Sequence, residues 1–288
     1  MSATLVTVIC LCHNQKDYVL EALRSVLNQT HQRVQLIVVD DASTDGSKEV
    51  IQEFISNHKE TVHIDLFENL GSCKAFNRAL PFATGEYIID LAADDILLPN
   101  RIEIGLKDFA KASSKAGVHF SDAELIDAVG NHLSYHSDRF PHISIPQGDI
   151  YKEVIQRYFI CSPTMLFKKE VIDSLGGYDE HLSYEDFDFW IRSSRSYEYI
   201  YSSEILLKRR VLKNSLVSKQ FTLRSPHQQS TYRICEKILL LNQNAEEKNA
   251  LQKRILYEIK LNFRLLNWGL CWKYALLLRK NNKIKHLK

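Results

Sequence analysis

Residues 34–55 read VQLIVVDDASTDGSKEVIQEFI. The apolar run Val34–Val39 has the length of a buried strand, and apolar residues then recur at helical spacing over residues 50–55. Further strand-like runs occur at residues 5–11, 62–67, 87–91 and 118–120, and Val19, Leu20, Leu23, Val26 and Leu27 form another helical pattern. Strands that alternate with helices predict an α/β domain with a mostly parallel central sheet flanked by helices.

Two acids, Asp40 and Asp41, come directly after the run that ends at Val39. Ligands of open α/β sheets bind just beyond the carboxyl ends of the strands, so acids at this point are placed to meet a ligand. The alternative is a turn that caps the next helix, which suits Asp45 at the helix start. We favour ligand contact for Asp41 and leave Asp40 open between the two interpretations.

A second strand ends in carboxylates at residues 87–96, YIIDLAADDI. The small residues Ala92 and Ala93 leave room for a ligand, and the oxygens of Asp94 and Asp95 suit Mg²⁺ or Mn²⁺ that bridges a phosphate. A solvated acidic turn before Pro99 is the alternative. The sequence predicts a divalent-cation site here, because two adjacent like charges repel each other when no cation is near.

A third candidate is the segment YEDFDFWIR at residues 184–192, where acids alternate with aromatic residues. An acid among aromatic groups is partly desolvated, which raises its pKa and makes it a better base near neutral pH. We therefore predict that one of these acids deprotonates a hydroxyl group. The alternative is an acidic helix N-terminus favoured by the helix dipole, and it accounts for part of the acid content.

Charge divides the chain unevenly, although its formal net charge is only +2. Residues 251–288 contain ten Lys/Arg and one acid, Glu258, for a charge of +9, and the remaining residues carry −7. Apolar residues from Leu251 to Leu270 recur at three or four positions, which is typical of an amphipathic helix. We predict one domain over residues 1–212 and a helical, basic extension over 213–288. The extension is interpreted either as a contact with an anionic membrane surface or as a helical cap or dimer contact.

Several protein classes are excluded by motifs. The chain has no G-x-G-x-x-G fingerprint, no P-loop and no G-x-S-x-G elbow, which disfavours ordinary dehydrogenases, kinases and α/β-hydrolases. Its six cysteines form no C-x-x-C pair, so a zinc ribbon is not indicated. The apolar stretch 268–278 is too short for a spanning helix, and the N-terminal residues lack the basic region of a signal peptide. We therefore expect a cytoplasmic protein, peripheral on the inner face of the membrane if the tail binds lipid.

Taken in order, these segments resemble a family 2 glycosyltransferase with the GT-A fold. The resemblance spans residues 4–212 and rests on VTVICLCHNQKDYVLEALRSVLNQT, VVDDASTDGSKEVI, ENLGSCKAFNRALPFATGEYI, LAADDILLPNRI and SPTMLFKKEVIDSLGGYDEHLSYEDFDFWIR. It implies a Rossmann-like nucleotide-binding half, a nucleotide-sugar donor and a divalent cation, Mn²⁺ or Mg²⁺.

The resemblance also implies roles for individual residues. It places the nucleotide-sugar against Leu11, His13, Asp41, Lys74 and Asp94. Within that set His13 lies against the base, Asp41 reads it, usually as uracil, and Lys74 adds positive charge at the diphosphate. Asp95 corresponds to the metal ligand of the family's Asp-x-Asp element. Many members have Asp where this chain has Ala92, so metal binding would depend mainly on Asp95.

The acceptor side of the resemblance assigns the general base to Asp186, with Glu185 beside it as support. The expected activity is inverting transfer of a hexosyl or N-acetylhexosaminyl group from a UDP-sugar to a hydroxyl of a glycan or lipid-linked acceptor, in cell-surface polysaccharide or lipopolysaccharide synthesis. Two alternatives stay open, a nucleotide-sugar-binding protein without catalysis and a nucleotidyltransferase. The second normally has a Gly-rich basic loop after the first strand, where this chain reads CLCHNQKDYV. No nucleic-acid partner is expected.

Overall fold

The computed structural model describes residues 4–183, 185–212 and 225–283. By its internal contacts the described chain divides into two compact units. The first contains residues 4–148, 160–178 and 197–212, and the second contains 149–159, 179–183, 185–196 and 225–283. The boundary predicted between residues 212 and 213 stays a prediction, and residues 213–224 and 284–288 of the predicted extension lie outside the described residues.

The first unit contains one mixed sheet with the strand order β3-β2-β1-β4-β8-β6-β9-β5, and β7 pairs with β6. The strands are β1 Val6–Cys12, β2 Val34–Asp40, β3 Val62–Asp65, β4 Tyr87–Ala92, β5 Ile96–Leu97, β6 Ala116–Ile126, β7 His132–Tyr135, β8 Leu166–Lys168 and β9 Glu198–Arg210. The pairs of β1 with β2, β1 with β4, β2 with β3 and β6 with β9 are parallel. The other pairs are antiparallel, so the predicted parallel arrangement describes the half of the sheet around β1.

Ten α-helices occur in the described residues. They are α1 Val19–Leu27, α2 Ser47–Asn57, α3 Ser72–Ala79, α4 Arg101–Lys111, α5 Tyr151–Gln156, α6 Lys169–Ser174, α7 Glu185–Ser193, α8 Pro226–Leu241, α9 Ala245–Arg264 and α10 Trp268–Lys283. In the first unit, apolar side chains of β1 such as Val8 and Cys10 pack in one core with Val19 and Leu23 of α1. This burial follows from the apolar spacing that predicted the alternation of strands and helices.

Three segments differ in extent from what their sequence indicates. Residues 134–148, which contain two Pro and have no apolar period, predict a single loop, but the first of them complete β7 and a 3₁₀ turn follows at His136–Arg139. The turn is held because the backbone N–H and hydroxyl of Ser137 donate to Asp122 at 3.0 and 2.5 Å. The sequence also predicts a helix over residues 149–159 and an extended run over 163–167. The helix is limited to α5, and a 3₁₀ turn at Ser162–Thr164 interrupts the extended run.

The second unit is helical and contains a buried ion pair between Arg254 Nε and Glu258 Oε1, 2.8 Å apart on α9. The Arg254 guanidinium also stacks on the rings of Tyr158 and Phe187, with its carbon 4.2 and 4.8 Å from their centroids. These contacts stabilise the charge inside the unit, because a cation over an aromatic face replaces part of its hydration. Helices occupy the described part of the predicted extension.

The described helices include none with the length and apolar character needed to span a membrane.

Candidate functional site

The carboxyl ends of β1, β2 and β4 meet at one edge of the sheet. The backbone N–H of Asp41, after β2, donates to the Cys12 carbonyl at 2.8 Å, and the N–H of Ala93, after β4, donates to the Leu11 carbonyl at 3.0 Å. Since β1 is parallel to both neighbours, the acids that follow β2 and β4 emerge on either side of its end. The structure thus brings Asp41 and the Asp94–Asp95 pair to the same edge of the first unit, with the half-buried Leu11 between them.

The carboxylate of Asp41 holds the loop that leads into α3. Its Oδ1 accepts from the backbone N–H of Leu70 at 2.7 Å, and its Oδ2 accepts from the N–H of Gly71 at 2.8 Å. Gly71 has φ +81°, a conformation that glycine adopts without strain, and it immediately precedes α3. Each carboxylate oxygen has a further lone pair, so this binding of the loop leaves capacity for a ligand N–H.

His13 is exposed beside Asp41, and its neighbours define its protonated nitrogen. Nδ1 lies 2.7 Å from the Asp41 carbonyl oxygen, which can only accept, so Nδ1 carries the proton. Nε2 accepts from the Nδ2 amide of Asn69 at 2.9 Å. The side-chain amide of Asn14 also lies beside Nε2, with its Nδ2 3.2 Å away. Because the Oδ1 of Asn14 accepts from the Thr44 N–H, its NH₂ group faces the imidazole as a donor. Hydrogen bonds at both ring nitrogens therefore fix the imidazole at the end of β1.

Lys74 lies in the first turn of α3, half-buried and three residues after Gly71. Within the part of the chain that the structure describes, its ammonium makes no hydrogen bond or ion pair. The loop that Asp41 holds thereby brings the helix bearing Lys74 to the same edge of the sheet as the acids. A cation at a helix N-terminus is a position suited to anions rather than to intramolecular pairing.

Asp94 and Asp95 are adjacent, half-buried and buried respectively. Burial raises the pKa of Asp95 to about 8, the neighbouring carboxylate of Asp94 adds to this, and Arg209 and Arg210 oppose it. Burial also raises the pKa of Asp94, against the positive charges of the same two arginines. Two carboxylates in this state favour a bound cation, since it stabilises their charged form.

Arg210, at the end of β9, fixes the position of these acids and was missed in the sequence. Its backbone N–H donates to Oδ1 of Asp95 at 2.9 Å, and its side-chain Nε donates to the carbonyl of Asp94 at 3.1 Å. Nη1 donates to two carbonyls of the β6–β7 turn at 3.1 Å each, and Nη2 pairs with Glu21 of α1 at 2.8 Å. The run of three basic residues at 208–210 was the available signal, but only the pairing of β5 with β9 places it beside Asp95.

The predicted metal has a limited donor set. Among residues 4–183, 185–212 and 225–283 no group of three or more His, Cys, Asp or Glu side chains is arranged to hold a metal ion. Asp94 and Asp95 still supply adjacent hard oxygen donors, and their raised pKa values mark a site short of positive charge. Mg²⁺ and Mn²⁺ are commonly held by one or two carboxylates together with substrate phosphates and water, so this pair fits such an ion.

The remaining predicted residues, Glu185 and Asp186, begin α7 in the second unit and are half-buried. Their neighbour Tyr184 lies outside the described residues. Acids in the first turn interact favourably with the helix dipole, so stabilisation of α7 is an alternative role for both residues. The pKa of Asp186 and the role of each acid stay predictions.

Asp188, one turn into the same helix, is fully buried and was not singled out in the sequence. Its Oδ2 accepts from Arg192 Nε at 2.6 Å, and its Oδ1 accepts from Lys237 Nζ of α8 at 2.6 Å. Two cations on one buried carboxylate fix the orientation of α7 within the second unit. The spacing of Asp188 and Arg192, four residues apart on a helix, was an available signal for their pair, but nothing in the sequence indicates Lys237.

Comparison with known proteins gives a family match and several relatives. Residues 7–176 match the model described as glycosyl transferase family 2. An uncharacterized glycosyltransferase of Methanocaldococcus jannaschii is 32% identical over 215 residues, 73% of this chain and 72% of that protein. A putative teichuronic acid biosynthesis glycosyltransferase of Bacillus subtilis, TuaG, is 31% identical over 167 residues, 58% of this chain and 63% of that protein. Against two Rickettsia glycosyltransferases the chain spans 64% and 34% of the relative's length.

Solved structures share the fold at low sequence identity. The crystal structure of Staphylococcus aureus TarS 1–349 in complex with UDP-GlcNAc has a TM-score of 0.64 and 18% identity, covering 98% of this chain and 76% of that one. The mannosyltransferase PcManGT from Pyrobaculum calidifontis, in complex with GDP-Man and Mn²⁺, has a TM-score of 0.66 and 18% identity, covering 100% of this chain and 77% of that one. The expectation of a GT-A fold is confirmed.

Proposed function

This chain belongs to glycosyl transferase family 2, and we propose that it transfers a sugar from a UDP-sugar to a hydroxyl of a glycan or lipid-linked acceptor, with inversion at the anomeric carbon. The observation that carries the donor half is the edge of the first unit, where Asp41, Asp94 and Asp95 follow parallel strands on either side of β1. A nucleoside diphosphate needs hydrogen-bond partners for its base and positive charge for its phosphates. That edge offers both kinds of group.

The proposed contacts with the nucleotide are divided among Leu11, His13, Asp41, Lys74 and Asp94. A lone pair of the Asp41 carboxylate accepts from uracil N3–H while the carboxylate still holds the loop before α3. His13 and Leu11 border the base, and Lys74 and Asp94 lie toward the diphosphate and ribose. The solved relatives named above hold UDP-GlcNAc in one case and GDP-Man in the other, which supports the class of donor and leaves uracil to experiment.

A divalent cation, Mn²⁺ or Mg²⁺, would be held mainly by Asp95, with Asp94 beside it. When bound, such an ion supplies positive charge to the leaving diphosphate as a Lewis acid. The contribution of this chain is to keep two carboxylates adjacent, and Arg210 does so by donating to Asp95 Oδ1 and to the Asp94 carbonyl. Mn²⁺ in the PcManGT complex supports this proposal.

The general base in the proposed reaction is Asp186, with Glu185 as its neighbour in the first turn of α7. Inverting transfer needs a base that removes the proton of the acceptor hydroxyl as the diphosphate leaves from the opposite face of the sugar. The buried Asp188, paired with Arg192 and Lys237, keeps the helix that bears Asp186 in one orientation. The sugar itself, hexosyl or N-acetylhexosaminyl, is part of the proposal only as a class.

The proposed biological setting is cell-surface polysaccharide or lipopolysaccharide synthesis. The likeness to TuaG, named for teichuronic acid biosynthesis, supports it. A lipid-linked acceptor is reached from a membrane surface, and we therefore also propose peripheral membrane contact through residues 251–288, of which 251–283 are described. The cytoplasmic location stays a prediction.

Binding of a nucleotide-sugar without catalysis is a second candidate, favoured by one feature, Ala92 in place of the acid that many family members have. Product formation separates the two. Purified protein is incubated with single UDP- and GDP-sugars, Mn²⁺ and a membrane lipid extract, and release of nucleoside diphosphate is measured. The proposal predicts release with one UDP-sugar, about a hundredfold slower in Asp186→Asn and unchanged in the exposed control Glu246→Gln. Donor binding without release would favour the second candidate.

A further inference from the structure

One face of the second unit combines exposed apolar side chains with cations. Helices α9 and α10 pack on each other, and their buried residues include Leu251, Ile255, Leu270 and Tyr274. Outside that packing, the two helices and the corner between them expose large apolar side chains, namely Leu256, Tyr257, Phe263, Leu266, Trp268, Trp272 and Leu276. We call these exposed residues the outward face of α9 and α10. An apolar face of this extent on a helix pair marks an interaction surface.

The charge on this face has one sign. Residues 251–283 expose the basic side chains Lys253, Lys260, Arg264, Lys273, Arg279, Lys280 and Lys283. The only acid in that stretch of the sequence is Glu258, which is buried and paired with Arg254 on the opposite side of α9. No exposed carboxylate from residues 251–283 therefore offsets the positive charge. A partner for this face must supply both negative charge and an apolar environment.

The corner between α9 and α10 presents an exposed apolar residue in a strained backbone conformation. Leu266 follows the end of α9 with φ +54°, a left-handed conformation that is costly for a leucine and not for glycine. Its side chain is 65% exposed, so most of it makes no contact inside the unit. Beside it Phe263 and Trp268 make an edge-to-face contact with ring centroids 5.0 Å apart. The corner holds three apolar side chains ready to enter an interface.

We propose that the outward face of α9 and α10 binds an anionic lipid bilayer, with Phe263, Leu266 and Trp268 inserted at the headgroup level. Tryptophan next to apolar and basic side chains on one helix face is typical of interfacial helices. The cations lie along the same helices, where they meet anionic headgroups. A second copy of this chain fits less well, because a symmetric contact would bring the two basic faces together without carboxylates to pair them. This inference rests on the peripheral membrane contact proposed above, which it deepens by naming the lipid class and the side chains that enter the bilayer, and it does not depend on the donor site.

The test uses the full chain and vesicles of phosphatidylcholine with or without phosphatidylserine, separated by flotation. At about 0.05 M salt we expect the protein to bind the vesicles that contain phosphatidylserine. Binding to vesicles without phosphatidylserine should be at least about tenfold weaker, and binding to the anionic vesicles should weaken when the salt is raised to about 0.5 M. Trp268→Ser with Trp272→Ser should lower binding about tenfold, as should Lys273→Glu with Lys280→Glu. Leu240→Ser on α8, an exposed apolar residue outside this face, is the control.

Leu266→Gly makes the test independent of folding. Glycine relieves the left-handed backbone, so this variant should unfold at an equal or higher temperature than the parent protein and yet bind vesicles several-fold less. Equal binding to neutral vesicles, no binding at low salt, or full binding by the tryptophan pair variant would overturn the proposal. So would a dimer in solution that the same variants dissociate, or RNA that binds where vesicles do not. In each case UDP binding remains a separate measurement, so the proposed function is judged independently.

Discussion

Lys237 Nζ of α8 lies 2.6 Å from Oδ1 of Asp188 on α7, and the same ammonium lies 2.6 Å from Oδ2 of Asp179. Asp188 is fully buried, whereas the Lys237 side chain is about one-third exposed. A C-terminal helix therefore fixes the helix that begins with Glu185 and Asp186. This contact connects the extension to the proposed chemistry, because it positions the segment that bears the general base.

Removing this ammonium should affect turnover more than donor binding. Lys237→Met leaves the Asp188 carboxylate with Arg192 as its remaining cation, and we expect a loss of stability of about 1 to 3 kcal/mol. Because α7 loses an orienting contact, kcat should fall about tenfold with little change in the donor KM. Lys237→Arg should restore most of kcat, and Lys253→Met on the exposed side of α9 should change neither value. A variant that is destabilised but keeps normal kcat would show that the bridge is only structural.

The Asp41 carboxylate should control the loop before α3. Asp41→Asn replaces one accepting oxygen with an amide that faces a backbone N–H donor, which costs about 1 to 3 kcal/mol. Amide hydrogen exchange at Leu70 and Gly71 should become faster, and UDP affinity should fall by at least about tenfold. Exchange at these two amides that matches the parent protein would contradict the arrangement. Glu60→Gln, an exposed substitution in the same unit, should leave exchange and affinity unchanged.

Arg210 should be needed for the site as well as for the fold. Arg210→Met removes four side-chain hydrogen bonds and leaves partly buried carbonyls with fewer donors, so we expect about 2 to 4 kcal/mol of destabilisation. Lysine should not rescue this change, because one ammonium cannot reach the several acceptors that the guanidinium serves. Thermal melts of both variants test the loss of stability. Mn²⁺-dependent UDP binding by the folded variants tests whether the site needs Arg210. Lys208→Met, two residues earlier on β9, is the matched control.

Acid should destabilise the first unit through His119. This histidine is fully buried, its Nε2–H donates to Asp108 at 3.0 Å, and its Nδ1 has no partner among the described residues. Burial, with the Arg101 guanidinium nearby, lowers the pKa of His119 to about 2. The unfolded chain takes up a proton near pH 6.5 and the folded chain does not, so this residue lowers stability as the pH falls below that value. The slope is up to about 1.4 kcal/mol per pH unit.

Replacing the histidine isolates this contribution. The free energy of unfolding is measured with chemical denaturant from pH 7 to pH 5. Its slope against pH should be smaller in His119→Gln than in the parent protein, by about 1 kcal/mol per pH unit. His142→Gln, an exposed substitution, should retain the parent slope. Identical slopes for His119→Gln and the parent protein would mean that the imidazole titrates normally inside the fold.

The sequence predicted the first half of the sheet because apolar runs such as Val34–Val39 are local signals. It also placed acids at the carboxyl ends of two strands, and parallel strands bring those ends to one edge of the sheet. Gly176 and Gly177 are a local signal of the same kind, because two adjacent glycines after α6 take positive φ values and end the helix. The family resemblance contributed the roles of individual residues, which stay proposals.

What escaped prediction depends on contacts between distant parts of the chain. Arg210 meets Asp95 across 115 positions, and Lys237 meets Asp188 across 49, so no local period reveals either pair. The turn after β7 was missed because Ser137 binds Asp122 on another strand. In each case a polar side chain determines the local conformation through a partner that apolar periodicity cannot identify.

Calorimetric titration with UDP measures the metal-dependent donor binding on which the proposed transfer depends. The parent protein, Asp95→Asn and the control Glu60→Gln are titrated with UDP and with GDP, each with and without Mn²⁺. We expect the parent and the control to bind UDP in preference to GDP only when Mn²⁺ is present, and we expect Asp95→Asn to lower this affinity by at least about tenfold. Absence of nucleotide binding by the parent protein, or equal affinity in Asp95→Asn, would contradict it.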